Sequence, residues 1–365
     1  MSNMKAVILT GHGGLDKLEY REDVPKPVAK SGEALIRVKA CGLNNTDINT
    51  RTAWYSKTVE EGITQSAVVD GYAASDNADG SWSSSVITFP RIQGADVCGV
   101  VEEVAGEPDS LLVGQRVLID PWLLDLNDPA DLSKAKYFGS EVDGGYAEFA
   151  AIRVENVYKV DSAYSDEELA TFGCAYTTAE NLIERTGLSP GESIVISGAS
   201  GGVGSAAIQL AKIREAKVIA ISRAGKEQVL REVGADHVID RNEPNLESAI
   251  KDLAGGDVDV AADVVGGDTF VVLINCLRPG GRYSASGCIG GPMVNFDLRK
   301  LIYRDLQMTG ATVAPAGTFD RVLAHIESEK LKPVLAKTYP LKELAKAQLS
   351  FMRKNHVGNI VVTMT

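Results

Sequence analysis

"SIVISGASGGVGSAAIQLAKIREAKVIAIS", residues 193–222, decides the fold. It opens on a short apolar run, turns through glycines, continues with helical spacing and ends in a second apolar run rich in β-branched residues. Strand, turn, helix and strand in that order make a βαβ unit, which sets two parallel strands in one sheet. Gly201, Gly202 and Gly204, with Ser200 before them and Val203 among them, stand after the first strand and at the opening of the helix. Glycines there permit a tight turn and let backbone N–H groups approach a pyrophosphate at the helix N-terminus. Ala199 takes the place of the first glycine of the G-x-G-x-x-G pattern, so the turn alone is a weak signature. A strand before it, a helix after it and a second strand on schedule make it a strong one.

The second strand runs into "ISRAGK". Chains that prefer NAD place Asp or Glu about twenty residues past the turn, on the ribose 2′-hydroxyl. Ser222, Arg223 and Lys226 stand there instead, a hydroxyl and two cations that attract a 2′-phosphate. The expected cofactor is therefore NADPH.

Outward from this unit, "KEQVLREVG", "HVID", "NLESAIKDLAG", "VDVAADVV" and "GGRYSASG" continue the alternation of helix and strand. That makes an α/β domain with a doubly wound parallel sheet, over 161–313 once the preceding helical text is included. Ser165, followed by Glu168, is a capping signal for that helical text. Residues 1–160 differ: "KAVILT", "EALIRVKAC", "VCGVVEEVAG", "GQRVLID", "YAEFAAI" and "VYKV" are short β-rich runs broken by Gly, Pro and Asp, as in a barrel-like β domain. Within it, 56–89 is rich in Ser, Asp, Gly and Ala and reads as a long loop or insertion carrying Tyr72 and Trp82. Residues 314–365 hold two helices and a last strand, "NIVVTM", expected to return to the first domain.

The 365 residues suit two domains. A net charge of -12 argues against nucleic acid as partner, since phosphate backbones call for a basic stripe. No apolar stretch approaches the ~20 residues of a membrane helix, and Met1–Thr10 shows no signal peptide. Five scattered cysteines, none in a CxxC pair, read as a reduced cytoplasmic chain.

"GLNNTD", "QGADVCGVVEEVAG", "GQRV", "DGGYAEF", "TTAENL", "SGGVGSAAIQLAK", "GADHVID", "LRPGGRYSASG" and "HVGNIVV" follow one another along the chain. Together they resemble the medium-chain dehydrogenase/reductase superfamily, and its quinone oxidoreductase-like and enoyl reductase-like branch in particular. The resemblance implies a GroES-like β domain, a Rossmann domain and an active site in the cleft between them. It places Thr178, Ser284, Ser286 and Gly287 at the nicotinamide end of the cofactor. Val265 and Gly266, at a strand's carboxyl end, are further cofactor contacts. It also implies a homodimer, paired through the sheet edge near "DLQMTGATV".

Zinc-containing members of this family carry a cysteine where this chain has Asn44 and a histidine where it has Ala95. Neither residue is a zinc ligand of that quality, and the segment Pro121–Gly145, where a structural-zinc lobe would lie, holds no cysteine. Cys41 is one frame early and reads as a packed residue, and His12, His237, His325 and His356 lie outside the ligand positions. No metal is expected. Without a Lewis acid, hydride addition to a quinone or an α,β-unsaturated carbonyl is easier than alcohol oxidation, because delocalised charge needs only hydrogen-bond donors and one proton. The candidate donors are Asn44, Asn45, Thr46 and Tyr55. Resemblance to the enoyl thioester reductases puts Tyr55 on their proton-donating tyrosine; the alternative is an aromatic wall of the cleft. A silent NADPH-binding protein and a zinc alcohol dehydrogenase remain the competing readings.

Overall fold

The computed structural model describes residues 2–72, 80–83, 86–106 and 110–364. The strand Glu33–Gly42 organises the first domain. Successive parts of it pair antiparallel with Asp96–Val104, Phe149–Arg153 and Asn359–Thr363. Register shifts beside Leu35 and Val38 bend it, as bulges do. Arg116–Ile119, Val157–Lys159 and Leu335–Pro340 extend this sheet to seven strands. Leu18–Pro25, Asn3–Leu9 and Arg91–Ile92 form a separate three-stranded sheet. Leu18–Pro25 has no counterpart among the expected strands, because its faces are mostly exposed and its sequence mixes charges with apolar residues. The last strand, Asn359–Thr363, pairs with Glu33–Gly42, and Ile360, Val361 and Val362 are buried there, each contributing about 1.5–3 kcal/mol by burial.

The second domain is a six-stranded parallel sheet in the order His237–Asp240, Lys217–Ser222, Ser193–Ile196, Val258–Asp263, Leu277–Ala285, Gln307–Gly310. The order reverses between Ser193–Ile196 and Val258–Asp263, which opens a crevice at the carboxyl ends of those strands. The strands read as continuous apolar runs because helices cover both faces of the sheet; Ile194, Val195 and Ile196 are fully buried. Ser165 and Glu168 form the expected capping box, but the helical text divides into Asp166–Leu169 and Gly173–Glu184.

The domains share core. Ala40, Cys98 and Leu118 of the first cluster with Leu169, Phe172 and Tyr176 leading into the second. The segment 56–89 is more ordered than a loop, since Gln65–Asp70 is a helix capped by the Thr64 side chain, which accepts from the Ala67 N–H. Residues 73–79 and 84–85 of that segment lie outside the described residues. Cys41 is a packed core residue. No helix among the described residues is long and apolar enough to cross a membrane.

Candidate active site

The glycine turn lies at the carboxyl end of Ser193–Ile196, with Gly201 as the N-cap of the helix Gly202–Ile213. A Cβ on Gly204 would fall 2.4 Å from the Gly198 carbonyl oxygen, so only glycine allows this close approach. A Cβ on Gly201 would meet nothing nearer than 3.5 Å. That face of the turn is open. Three hydroxyls lie at the carboxyl ends of Lys217–Ser222 and Leu277–Ala285, the strands on either side of the central pair: those of Ser222, Ser284 and Ser286 are buried and have no hydrogen-bond partner among the described residues. Buried polar atoms are rarely left so unless a ligand or water completes them. The backbone N–H groups of Val265 and Gly266 donate to Asp263 Oδ1 at 2.8 and 3.1 Å, which folds this strand end tightly. Gly266 has φ +65 and leaves no room for a Cβ beside Cys288. An open glycine turn and unpartnered serines at a switch point fit a dinucleotide.

The cations beside this turn divide their work. Arg223 is exposed, with Nη1 3.3 Å from Asn355 Oδ1. Lys226 turns inward instead. Its Nζ donates to Ser200 Oγ at 3.0 Å, to the Lys354 carbonyl at 2.8 Å and to the His356 carbonyl at 2.7 Å. All three ammonium hydrogens are thereby used, so in this arrangement Lys226 shapes the turn and adds charge without a hydrogen to spare. Lys354 is a residue that sequence reading missed. Its Nζ donates to Asn45 Oδ1 at 2.9 Å and lies 3.8 Å from the Phe351 ring centroid. Burial, with Arg223 and Arg241 nearby, lowers Lys226 to about 8. Burial and the Lys226 charge lower Lys354 to about 7. The charges acting on both lysines are positive, which leaves the cluster suited to an anion.

On the substrate side, Asn44 precedes the helix Asn45–Thr52. The Asn44 backbone N–H donates to Asp47 Oδ2 at 2.8 Å, and its amide Nδ2 donates to Asp96 Oδ2 at 2.9 Å. Asp96 Oδ1 accepts the Cys174 N–H at 2.5 Å, at the start of the helix Gly173–Glu184. Tyr146 donates to Asp47 Oδ2 at 2.7 Å. Asn44 is thus a strut between two buried carboxyls. Burial raises Asp47 to about 6 and Asp96 to about 7. Asn45 faces Lys354 and so joins the lysine cluster beside the glycine turn. Burial pushes the Tyr55 phenol up to about 12, against the opposing effect of the neighbouring Thr46 and Asn49 side chains.

Cys174 is the meeting point. It lies near Tyr55 and Tyr137, and its Sγ is 4.0 Å from Thr178 Oγ1. Trp82, Trp122 and Tyr137 form an edge-to-face series with centroids 5.1 and 4.7 Å apart. This wall shares a cluster with Ala95 and Cys174. The segment 56–89 reaches it through Trp82, whose Nε1 donates to Glu141 Oε2 at 3.2 Å. Tyr72 lies elsewhere and donates to the Gly62 carbonyl at 3.3 Å. Among the described residues no three His, Cys, Asp or Glu side chains converge as a metal ion requires. With Asn44 and Ala95 in place, the donor set does not fit zinc.

Two family models match, the alcohol dehydrogenase GroES-like domain over residues 30–162 and the zinc-binding dehydrogenase over residues 202–328. A solved structure from Sinorhizobium meliloti, described as a candidate alcohol dehydrogenase, is 41% identical with a TM-score of 0.88, covering 100% of this chain and 97% of that one. A quinone oxidoreductase from Mus musculus is 29% identical over 94% of this chain and 92% of its own length. An acryloyl-coenzyme A reductase from Sulfurisphaera tokodaii is 28% identical over 98% of this chain and 99% of its own. A GroES-like β domain and a parallel sheet in this strand order agree with that likeness over the whole length, and the chain belongs to the medium-chain dehydrogenase/reductase superfamily as one of its oxidoreductases.

Proposed function

We propose that this chain is an NADPH-dependent, zinc-independent reductase that transfers hydride to an α,β-unsaturated carbonyl or a quinone. The observation that carries the reading is the setting of Tyr55. Its phenol neighbours Thr46, Asn49 and Cys174, and Cys174 stands next to Thr178 at the expected nicotinamide end. A bound reduced nicotinamide supplies the hydride. Everything else falls to the chain. Thr46 and Asn49 neighbour the Tyr55 oxygen, and burial keeps its proton in place until an enolate carbon takes it. Asn44, pinned to Asp96, fixes the end of the strand from which this helix starts. Relatives named as quinone oxidoreductase and acryloyl-coenzyme A reductase support an acceptor of this kind.

The proposal includes a cytoplasmic homodimer. Gln307–Gly310 is the edge strand of the sheet. Leu298, Ile302 and Tyr303 beside it are 61%, 59% and 79% exposed, a face that such edges usually cover. Light scattering should give twice the chain mass of 38.8 kDa. A single-chain mass at micromolar concentration would remove the dimer.

The reaction is tested by NADPH oxidation with a panel of enones and quinones, with and without a chelator. Turnover that survives the chelator is the expected result. NADPH binding with no oxidation by any acceptor would favour a silent binding protein. Alcohol oxidation that the chelator abolishes, with zinc in the purified protein, would favour the zinc enzyme.

A further inference from the structure

The reaction just proposed leaves Tyr137 without a task. It lies on the short strand Lys136–Tyr137, which pairs with Trp122–Leu123. Its backbone N–H donates to Glu141 Oε2 at 3.0 Å, and its ring packs on Trp122. The residue is 4% exposed. Its hydroxyl is buried and has no nitrogen or oxygen partner among the described residues. The polar group beside it is the Cys174 thiol, a weak partner at best. A tyrosine kept only for bulk would leave this hydroxyl as a defect, because buried hydroxyls are almost always paired.

Its location gives the hydroxyl a use. Tyr137 shares a cluster with Ala95, and Cys174 packs against that cluster. The next residue, Asp96, holds both the Asn44 amide and the Cys174 N–H. Asn44 and Ala95 are the positions at which zinc-containing members carry ligands. The Tyr137 side chain therefore lies in the cluster that joins Ala95 and Cys174, beside the two positions at which those members carry ligands. Tyr55 also neighbours Cys174. Two phenols flank one thiol, and the Tyr137 hydroxyl has no nitrogen or oxygen partner among the described residues.

We infer that Tyr137 donates its hydroxyl hydrogen to the carbonyl oxygen of the substrate, standing in by hydrogen bond for the missing metal. The inference rests on the enone and quinone reading. No covalent bond to Tyr137 forms or breaks. As hydride reaches the β carbon, the electron pair of the C=C bond moves toward the carbonyl oxygen, and the Tyr137 hydrogen bond stabilises the charge arriving there. Tyr55 then gives the proton to the α carbon and recovers it from solvent. Burial holds the Tyr137 phenol well above its ordinary pKa, so it keeps its hydrogen throughout the working range.

Tyr137→Phe keeps the ring and its packing and removes only the hydroxyl. With NADPH and benzylideneacetone, kcat/KM should fall about 10²–10³-fold, as when one oxyanion donor is removed, with most of the loss in kcat. NADPH affinity should be unchanged. The thermal midpoint should hold or rise, since no partner is left behind. Parental kinetics, or a lost midpoint accompanied by weaker NADPH binding, would overturn the inference. Tryptophan-quenching titrations provide a second reading with benzylideneacetone and its carbonyl-free counterpart phenylbutene. The parent should prefer the ketone and the variant should lose that preference; equal ratios in both would also overturn it. If the parent reduces no acceptor at all, the proposed reaction falls, and the binding ratios alone decide whether Tyr137 is a carbonyl donor.

Discussion

Lys354 and Asn45, separated by 309 positions in the chain, are joined by a 2.9 Å hydrogen bond from Nζ to Oδ1. One bond therefore links the lysine cluster beside the glycine turn to the helix Asn45–Thr52, which carries Thr46 and leads to Tyr55. The lysine in this bond is buried among other cations, which lowers it to about 7. An arriving cofactor phosphate favours its charged form. NADPH affinity should then weaken as pH rises through about 7 and Lys354 loses its proton. Lys354→Met should bind NADPH several-fold more weakly at pH 6 and show a flatter pH profile. A variant profile as steep as the parent's would assign the titration elsewhere.

Arg223 and Lys226 should separate in mutagenesis. Arg223 is exposed and, among the described residues, held by one 3.3 Å bond to Asn355, which leaves it able to meet a 2′-phosphate. Arg223→Ala should weaken NADPH by about 1.5–3 kcal/mol and leave NADH nearly unchanged. Equal losses would show that the 2′-phosphate lies elsewhere. Lys226→Met should instead cost stability, about 1–3 kcal/mol, because it strips two carbonyls and Ser200 Oγ of their donor. Denaturant midpoints and cofactor titrations on both variants resolve the two effects.

Tyr55→Phe should lower enone turnover by about 10²–10⁴-fold, the usual span for general acid catalysis. NADPH affinity should hardly change, and quinone reduction should suffer much less because reduced quinone oxygens take protons from water. Stopped-flow traces with one acceptor of each class would show the split. An unaltered enone rate would make Tyr55 a wall of the cleft.

Asp96 provides a stability test. Burial raises its carboxyl from 3.8 to about 7. Between those values the folded chain keeps a proton that the unfolded chain has lost, so this group destabilises the fold increasingly as pH rises from about 4 to about 7. Asp96→Asn can still accept the Cys174 N–H and carries no charge to bury. Its stability relative to the parent should improve by about 2–4 kcal/mol between pH 4 and pH 8. Urea melts at the two pH values measure this. A difference independent of pH would mean that Asp96 does not titrate in that window.

Much of this was legible in the sequence. Ser193–Ser222 announced its own strands, turn and helix, because strands buried on both faces are apolar throughout and the turn needs glycine. Ser165 and Glu168 cap as their spacing indicates. Ser222, Ser284 and Ser286, singled out for the cofactor, all turn out to be buried hydroxyls without a partner among the described residues. Tyr137, Cys174 and Lys354 were not legible, since their meaning lies in distances between remote segments and no local pattern encodes it. Lys226 reads as a phosphate cation because sequence shows charge; the fold gives its hydrogens to three oxygens. The helix Gln65–Asp70 was hidden in text rich in Ser and Asp, although Thr64 three residues before Ala67 carries a capping signal.

The final strand has a consequence for the order of assembly. Asn359–Thr363 lies between Glu33–Gly42 and Leu335–Pro340 in the first domain's sheet, while the residue just before it, Gly358, donates to the Ser200 carbonyl at 3.0 Å. The six strands of the parallel sheet have all been synthesised by residue 310. The barrel, although begun first, must hold the edge at Ala40, Cys41 and Gly42 uncovered until residues 359–363 emerge. On the ribosome the second domain can therefore mature ahead of the first, reversing the usual N-to-C order. Until the last strand docks, the unpaired barrel edge is the part of the nascent chain most exposed to mispairing.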